Sequence, residues 1–317
     1  MSQDSIFKKY YSVHKLIDRA IDYSGDTVTV IIPTVHSNEL WEVNLHSIYK
    51  EIPVAKLLIG DGGCIDDTVE IVKKFPRVDV HDHSNYKSLG YSIRKLIEAV
   101  ETEWFIYLHS DVYLPPGWFD KMLPQCEYYD WFGCRMRQTV MIEFDNDYCD
   151  RPYAGSQFGK KLAFSEGLKR IDDDYVYRQE DFVFSAIVEE QGYKEGKIDD
   201  VFHYHQTIDK SSAFWNPQDV KVNITKKLNR EQEIRYLETQ FKGIVKYLKP
   251  SNDWQIDEAS ICAHRLIELK YYTSKEIYSW VSEENNAWLV TLKKHVFKLQ
   301  IRSILYSMFN RLRKILF

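Results

Sequence analysis

Cysteine is scarce in this 317-residue sequence: there are five, an odd number, and no two are spaced as CxxC. A paired-cysteine zinc cage and the disulfide framework of a small secreted domain are thereby disfavoured, and a reducing, cytoplasmic setting is expected. Met1 to Tyr11 is polar and lacks the apolar centre of a signal peptide. No stretch of about 18 apolar residues occurs, so no spanning helix is expected. Three catalytic signatures are missing as well. Without GxGxxG after the first strand, a dinucleotide dehydrogenase is disfavoured; without GxxxxGK[ST], a P-loop NTPase; without GxSxG, an α/β-hydrolase. Thr34-Val35-His36-Ser37 is not a glycine-rich phosphate loop, which argues against a sugar nucleotidyltransferase.

What the sequence does hold is core material. The hydrophobic fraction is 44% and aromatics make up 15%, enough to drive folding rather than disorder. Net charge is −5 but unevenly spread. From Asn285 to Phe317 there is no acid, against Lys293, Lys294, Lys298, Arg302, Arg311, Arg313 and Lys314. An acidic body with a basic tail argues against a nucleic-acid binder, whose positive surface would belong to the fold itself.

The pattern along the chain alternates. Residues 5–22 read as a leading amphipathic helix. The β-branched run Thr27 to Pro33 reads as a strand, 38–50 as a helix, Val54 to Gly60 as a strand and Asp66 to Lys74 as a helix. Val78 to His81, Leu89 to Val100 and Trp104 to Leu108 continue as strand, helix, strand. Alternation of this kind predicts a parallel sheet covered on both faces, with ligands at the carboxyl ends of its strands. Three strands end in chemistry-bearing residues: Pro33-Thr34, Asp61-Gly62 and His109-Ser110-Asp111. A second half follows at about 119–208. It has a strand-like stretch at 131–144, a helix from Asp181 to Gln191, and a strand ending in Val201-Phe202-His203. From 209 to 317 the spacing is helical. The expected division is thus 1–208, with a nucleotide half at 27–118, and a helical extension.

Candidate residues carry two readings each. Asp111 at a sheet mouth either holds a hard cation that neutralises a diphosphate, or ends a strand. Glu180 and Asp181 either cap a helix or supply a general base. His203 and His205, at i and i+2 on a strand, share a face and either complete a metal site or are structural. The tail 289–317 has apolar residues at helical spacing with basic residues between them. It reads as a helix on an anionic membrane surface, or as one packed on the body.

The order of these pieces resembles family 2 of the glycosyltransferases, inverting enzymes of GT-A fold. Val28 to Thr34 is similar to the family's opening strand. Leu58 to Thr68 (LIGDGGCIDDT) resembles its "VVDGGSTDGT" segment. Tyr107-Leu108-His109-Ser110-Asp111 with Pro115-Pro116-Gly117-Trp118 resembles "fLDaD…PgW". Gln179 to Phe182 with Gln191 to Lys194 resembles "EDxxl…Gyk", and Val201-Phe202-His203 resembles "vyH". The resemblance implies an α/β, Rossmann-like, mostly parallel sheet flanked by helices. It implies a nucleotide-sugar donor, most commonly UDP-linked although GDP and dTDP also occur in the family, held by Pro33, Thr34, Asp61 and Gly62, with Mn²⁺ or Mg²⁺ on Asp111. Asp181 would take the proton from a hydroxyl of a glycan or lipid-linked acceptor, and His203 or His205 would touch metal or diphosphate. Two positions depart from the pattern: His109 replaces the first Asp of DxD, and Arg94 stands where Asn is usual. Arg94 either pairs with diphosphate or is a solvated helix residue. The His109 departure leaves a second reading, a catalytically inactive GT-A module that binds a glycan or a partner. No motif in 127–178 reads as acceptor specificity.

Overall fold

A computed structural model describes residues 27–37, 40–140, 150–151, 153–176, 180–207, 230–251 and 253–316. The expected leading helix at 5–22 lies outside them. The described residues form two units. One holds the chain up to Asp174 and again from Phe184; the other holds Tyr175–Val183 and the chain from Arg230 onward.

The first unit is built on one sheet. Its opening half consists of β1 (Val28–Thr34), β2 (Val54–Asp61), β3 (Val78–Asp82) and β4 (Trp104–Leu108), all parallel, in the order β3-β2-β1-β4. Every residue of β1 is buried, as a central parallel strand covered on both faces requires. The connections are helical: α1 (Trp41–Glu51), α2 (Thr68–Val72) and α3 (Leu89–Ala99). Ser88 caps α3, its side chain accepting from the Tyr91 N–H at 3.2 Å. These bounds agree with the sequence reading to within two residues at nearly every end.

The second half of the sheet is mixed. β5 (Val112–Tyr113) is followed by α4 (Trp118–Met122), β6 (Trp131–Val140), β7 (Asp150–Arg151) and β8 (Ser156–Lys160). Then come α5 (Glu180–Glu190) and β9 (Glu195–Thr207). β8 joins the halves by pairing antiparallel with β4 and β6, while β9 runs parallel to β6 and antiparallel to β5. The core between sheet and helices is rich in aromatics; Phe132 and Phe158 stack at 5.3 Å from adjacent strands. Phe184 brings the later turns of α5 against Phe164 and Trp131.

Among the described residues, the second unit contains four whole helices: α6 (Arg230–Tyr247), α7 (Asp253–Glu268), α8 (Ser274–Glu284) and α9 (Ala287–Leu316). α8 starts with a capping box, Thr273 and Glu276 each satisfying the other's backbone N–H. Trp288, Leu292 and Val296 of α9 are fully buried, and the Trp288 indole donates to the Leu248 carbonyl at 2.8 Å. Trp288 is therefore core. The segment Tyr175–Val183 is tied to these helices. Lys242 lies over the Tyr175 ring at 5.0 Å while pairing with Glu238 at 2.8 Å, and Tyr175 meets Trp280 edge-on. Among the described residues, no helix is long and apolar enough to cross a membrane. Cys64, Cys126, Cys134 and Cys262 are free thiols.

A buried histidine under β2 and β3 gives the first unit a pH dependence. His83 is 4% exposed, and its Nδ1 lies 2.7 Å from Ser92 Oγ. Burial pushes its pKa down to about 4. The charge of His81 adds to this and that of Lys95 more weakly, while Asp82 and Asp61 oppose it. The unfolded chain takes up this proton near pH 6.5 and the folded chain only near 4. The stabilisation is thus complete above pH 6.5 and is lost as pH falls to 4, by about 3 kcal/mol. His83→Gln is expected to flatten the decline of the urea midpoint across this window; an unchanged slope would show that His83 is not its source.

Candidate functional site

The order β3-β2-β1-β4 reverses direction between β1 and β4. In open α/β sheets that switch point marks the crevice where ligands bind. Thr34 and Asp61 reach it together because β1 and β2 pair in parallel with Thr34 opposite Asp61. Past that point the Gly62 N–H donates to the Thr34 carbonyl at 2.8 Å, tying the two strand ends. A side chain at Gly62 would put its Cβ 2.2 Å from Val35 Cγ2, so only glycine fits. Asp61 Oδ1 accepts the N–H groups of Gly63 and Cys64 at 2.9 and 2.7 Å and folds the loop back on itself.

The same loop is clasped to the end of β1 through His36. Its N–H donates to Cys64 Sγ, its Nδ1 accepts from the Ile65 N–H, and that nitrogen lies 3.4 Å from Asp66 Oδ1. His36, Cys64 and Asp66 sit close enough to hold a metal ion. Burial, however, pushes the Cys64 thiol up to about 12, and a protonated thiol is a poor ligand. This trio is best described as a fastening of two loops, and none of its members was singled out by the sequence pattern.

At the end of β4 the chain assembles a second group. His109 Nδ1 lies 3.2 Å from His205 Nε2, and that nitrogen lies 3.4 Å from Asp111 Oδ1. Register explains the meeting: β5 follows Asp111 directly, and its Val112 pairs with His205 of β9. The Ser110 carbonyl is held by Asn44 Nδ2 at 3.0 Å and by Ser37 Oγ at 3.5 Å, which fixes the turn from α1 and the β1 loop. Gly155 passes over both imidazoles at φ +81, its carbonyl accepting from the backbone N–H of His109 at 3.0 Å. A Cβ there would stand 3.1 Å from His205 and 3.3 Å from His109, so both conformation and space call for glycine.

Two imidazoles and a carboxylate suit a manganese-like divalent ion. The three ligand atoms lie within 4.8 Å of one another. The separations of 3.2 and 3.4 Å match neighbouring ligands around an ion with bonds of about 2.1 Å. The residues present therefore fit a metal. His203, the other candidate ligand, is fully buried behind this group, its Nδ1 2.8 Å from Ser156 Oγ. Burial, with the nearby His205 and His109, holds its pKa well below the usual histidine range. Of the two strand histidines it is His205 that joins Asp111.

Arg94 is not brought to this mouth. Its Nε pairs with Glu98 at 2.7 Å and its Nη1 donates to the Ile171 carbonyl at 2.8 Å. It lines a cavity of about 650 Å³ with Glu101, Thr102 and Glu103, which precede β4, whereas Asp111 follows it. Glu180 and Asp181 open α5 and are 5% and 9% exposed. Both belong to the segment held by the C-terminal helices.

Comparison with known proteins adds an independent line. Residues 29–148 match the family model described as glycosyl transferase family 2. No curated protein matches the chain. Among solved structures, S. aureus TarS 1-349 in complex with UDP-GlcNAc is similar with TM-score 0.51 at 12% identity, over 85% of this chain and 80% of that one. The mannosyltransferase PcManGT from Pyrobaculum calidifontis, in complex with GDP-Man and Mn²⁺, gives 0.48 at 13% identity, over 93% and 95%. The bifunctional IspDF from Campylobacter jejuni gives 0.40 at 13%; there 55% of this chain is covered and it spans only 50% of that chain's length. The TarS likeness bears on fold, and the fold it supports is the sheet-and-helix arrangement described above. Residues 29–148, which hold nearly all of the first sheet half, are thus similar to glycosyl transferase family 2, and the chain has a GT-A fold.

Proposed function

We propose that the chain transfers a sugar from a nucleotide-sugar donor, UDP-linked, to a hydroxyl of a glycan or lipid-linked acceptor, with inversion. The observation that carries this reading is the cluster of His109, Asp111 and His205 at the carboxyl end of β4, beside the switch point of the sheet. Asp111 and His205 would hold Mn²⁺ or Mg²⁺, with His109 as a third donor in place of the family's first aspartate. Bound there, the ion would supply positive charge to a leaving diphosphate. The loop from Asp61 to Asp66 and the end of β1 at Thr34 would hold the nucleoside. Asp181 would take the proton of the acceptor hydroxyl, with Glu180 orienting it. The inactive-module reading rested on His109; its ring nitrogen next to His205 keeps a ligand atom where the family has a carboxylate. The proposed division is 1–208 and 209–317; the segment Tyr175–Val183, which carries Asp181, groups with the second unit.

A thermal-shift screen of UDP-, GDP- and dTDP-sugars, each with and without Mn²⁺, tests the donor side. Stabilisation by a UDP-sugar that grows with Mn²⁺ is expected. No stabilisation by any of them would sink the reading.

A specific observation favours placing the acceptor at a membrane surface. On α9, Phe297, Ile301, Ile304, Leu305 and Tyr306 are exposed, Leu305 by 59% and Tyr306 by 70%. The same stretch from Asn285 onward carries basic residues and no acid. Two such helices would repel each other, whereas anionic lipid attracts each basic residue by about 1 kcal/mol. Ile304→Asp with Leu305→Asp is expected to lower co-sedimentation with phosphatidylglycerol vesicles at least tenfold; equal binding by the wild type to phosphatidylcholine alone would refute the electrostatic part. Deletion from residue 289 is a poor test, because Leu292 and Val296 are core.

A further inference from the structure

Two aromatic rings in the second unit are left to solvent side by side. Phe182 and Trp254 stack with centroids 5.1 Å apart and planes inclined by 27°. Phe182 is 37% exposed and Trp254 47%, whereas Trp41, Trp118, Trp131 and Trp288 are at most 1% exposed. The chain thus buries large rings when packing is their purpose. A ring pair held at the surface gives up burial worth about 25 cal/mol for each Å² left wet. The pair is placed by two helix starts. Phe182 is the third residue of α5, and Trp254 the second residue of α7. The residue before Phe182 is Asp181.

We propose that the Phe182–Trp254 pair is the acceptor platform, binding a pyranose ring of a glycan. This rests on the reading of Asp181 as the base. A pyranose has a face of C–H bonds and a rim of hydroxyls. Laid flat on an aromatic surface, it covers the rings while its hydroxyls stay in water or turn to hydrogen-bonding neighbours. Stiff aromatic side chains lose little entropy on binding such a ligand. The area of two rings is far below that of a stable protein interface, which excludes a folded partner as the main occupant. A sugar on this platform would set a hydroxyl near the start of α5, where the base waits. The acceptor class assigned is therefore a glycan with at least one pyranose unit next to the reacting hydroxyl, and the extension's share in the reaction is to recognise it.

The test uses the full chain on an array of immobilised pyranose glycans, with Trp254→Ala, Trp254→Phe and Phe182→Ala beside the wild type. The wild type is expected to bind at least one glycan. Trp254→Ala and Phe182→Ala should lose tenfold or more, and Trp254→Phe should stay within about threefold because a ring remains. Wild type that binds no glycan, or Trp254→Ala that binds as well as wild type, overturns the proposal. Because an alanine variant can lose its fold, a second measurement uses 5-fluorotryptophan protein. The ¹⁹F resonance missing from Trp254→Phe belongs to Trp254; it should shift on adding the best array glycan, and a resonance that stays put overturns the platform. The nucleotide thermal shift separates the two readings. If that shift is absent, the donor assignment fails whatever the array shows. If it is present while Trp254→Ala keeps its glycan, only the platform fails.

Discussion

Asp111→Asn is expected to lower sugar transfer about 10²–10³-fold and to abolish the added stabilisation that Mn²⁺ gives to nucleotide binding. Asn keeps the shape of Asp and removes one negative charge from a group whose other two members are imidazoles. It should leave the fold intact, since Asp111 lies in a turn whose backbone is held independently by Asn44 and Ser37. The informative partner is His109→Asp, which restores the family's DxD spacing. His109 lies 3.2 Å from His205, so an aspartate there would place a second carboxylate on the same ion. Activity within about tenfold of wild type is expected, with a shift in metal preference from Mn²⁺ toward Mg²⁺ because oxygen donors favour the harder ion. If Asp111→Asn retained full activity and full Mn²⁺ dependence, the metal would lie elsewhere.

The contrast between what sequence and structure make visible is physical. Strands β1 to β4 were legible because each is a β-branched or aromatic run bounded by turn residues, and their ends carried the polar residues that mark a sheet mouth. Asp111 was legible for the same reason. Its partner His205 was legible as one of two histidines on a strand, but the choice between it and His203 was not. That choice depends on the pairing of a two-residue strand, Val112–Tyr113, with β9, too short to leave a periodic signal. Gly155 was missed outright; nothing in a loop sequence says that its backbone will cross two imidazoles. Arg94 shows the converse. A motif position suggested a diphosphate contact, yet α3 runs back along the sheet and carries Arg94 to Glu98 and Ile171. Trp288 is similar: helical spacing cannot say which face of a long helix is covered, and the first turns of α9 are core while later turns are exposed.

For Asp181 the two sequence readings make opposite predictions, and Asp181→Asn separates them. Under the base reading, the amide cannot accept the acceptor's proton, so kcat is expected to fall about 10³-fold while the donor's thermal shift is unchanged. Under the capping reading, loss of charge in the first turn of α5 costs about 0.3–1 kcal/mol of stability and leaves turnover nearly intact. The structure supplies the reason to expect the first outcome. Asp181 is 9% exposed and Glu180 5%, and burial of two adjacent carboxylates is costlier than a simple cap requires, since an exposed cap does the same work. Their segment is also braced from outside the helix, by Lys242 over Tyr175. Such bracing is what a base needs, because misplacement by about 1 Å can cost 10²-fold in rate. Glu180→Gln should act more weakly, about tenfold, through the position of Asp181. If Asp181→Asn lowered the melting temperature and left kcat alone, the pair would be a buried cap, and the acceptor's proton would have to leave by another residue.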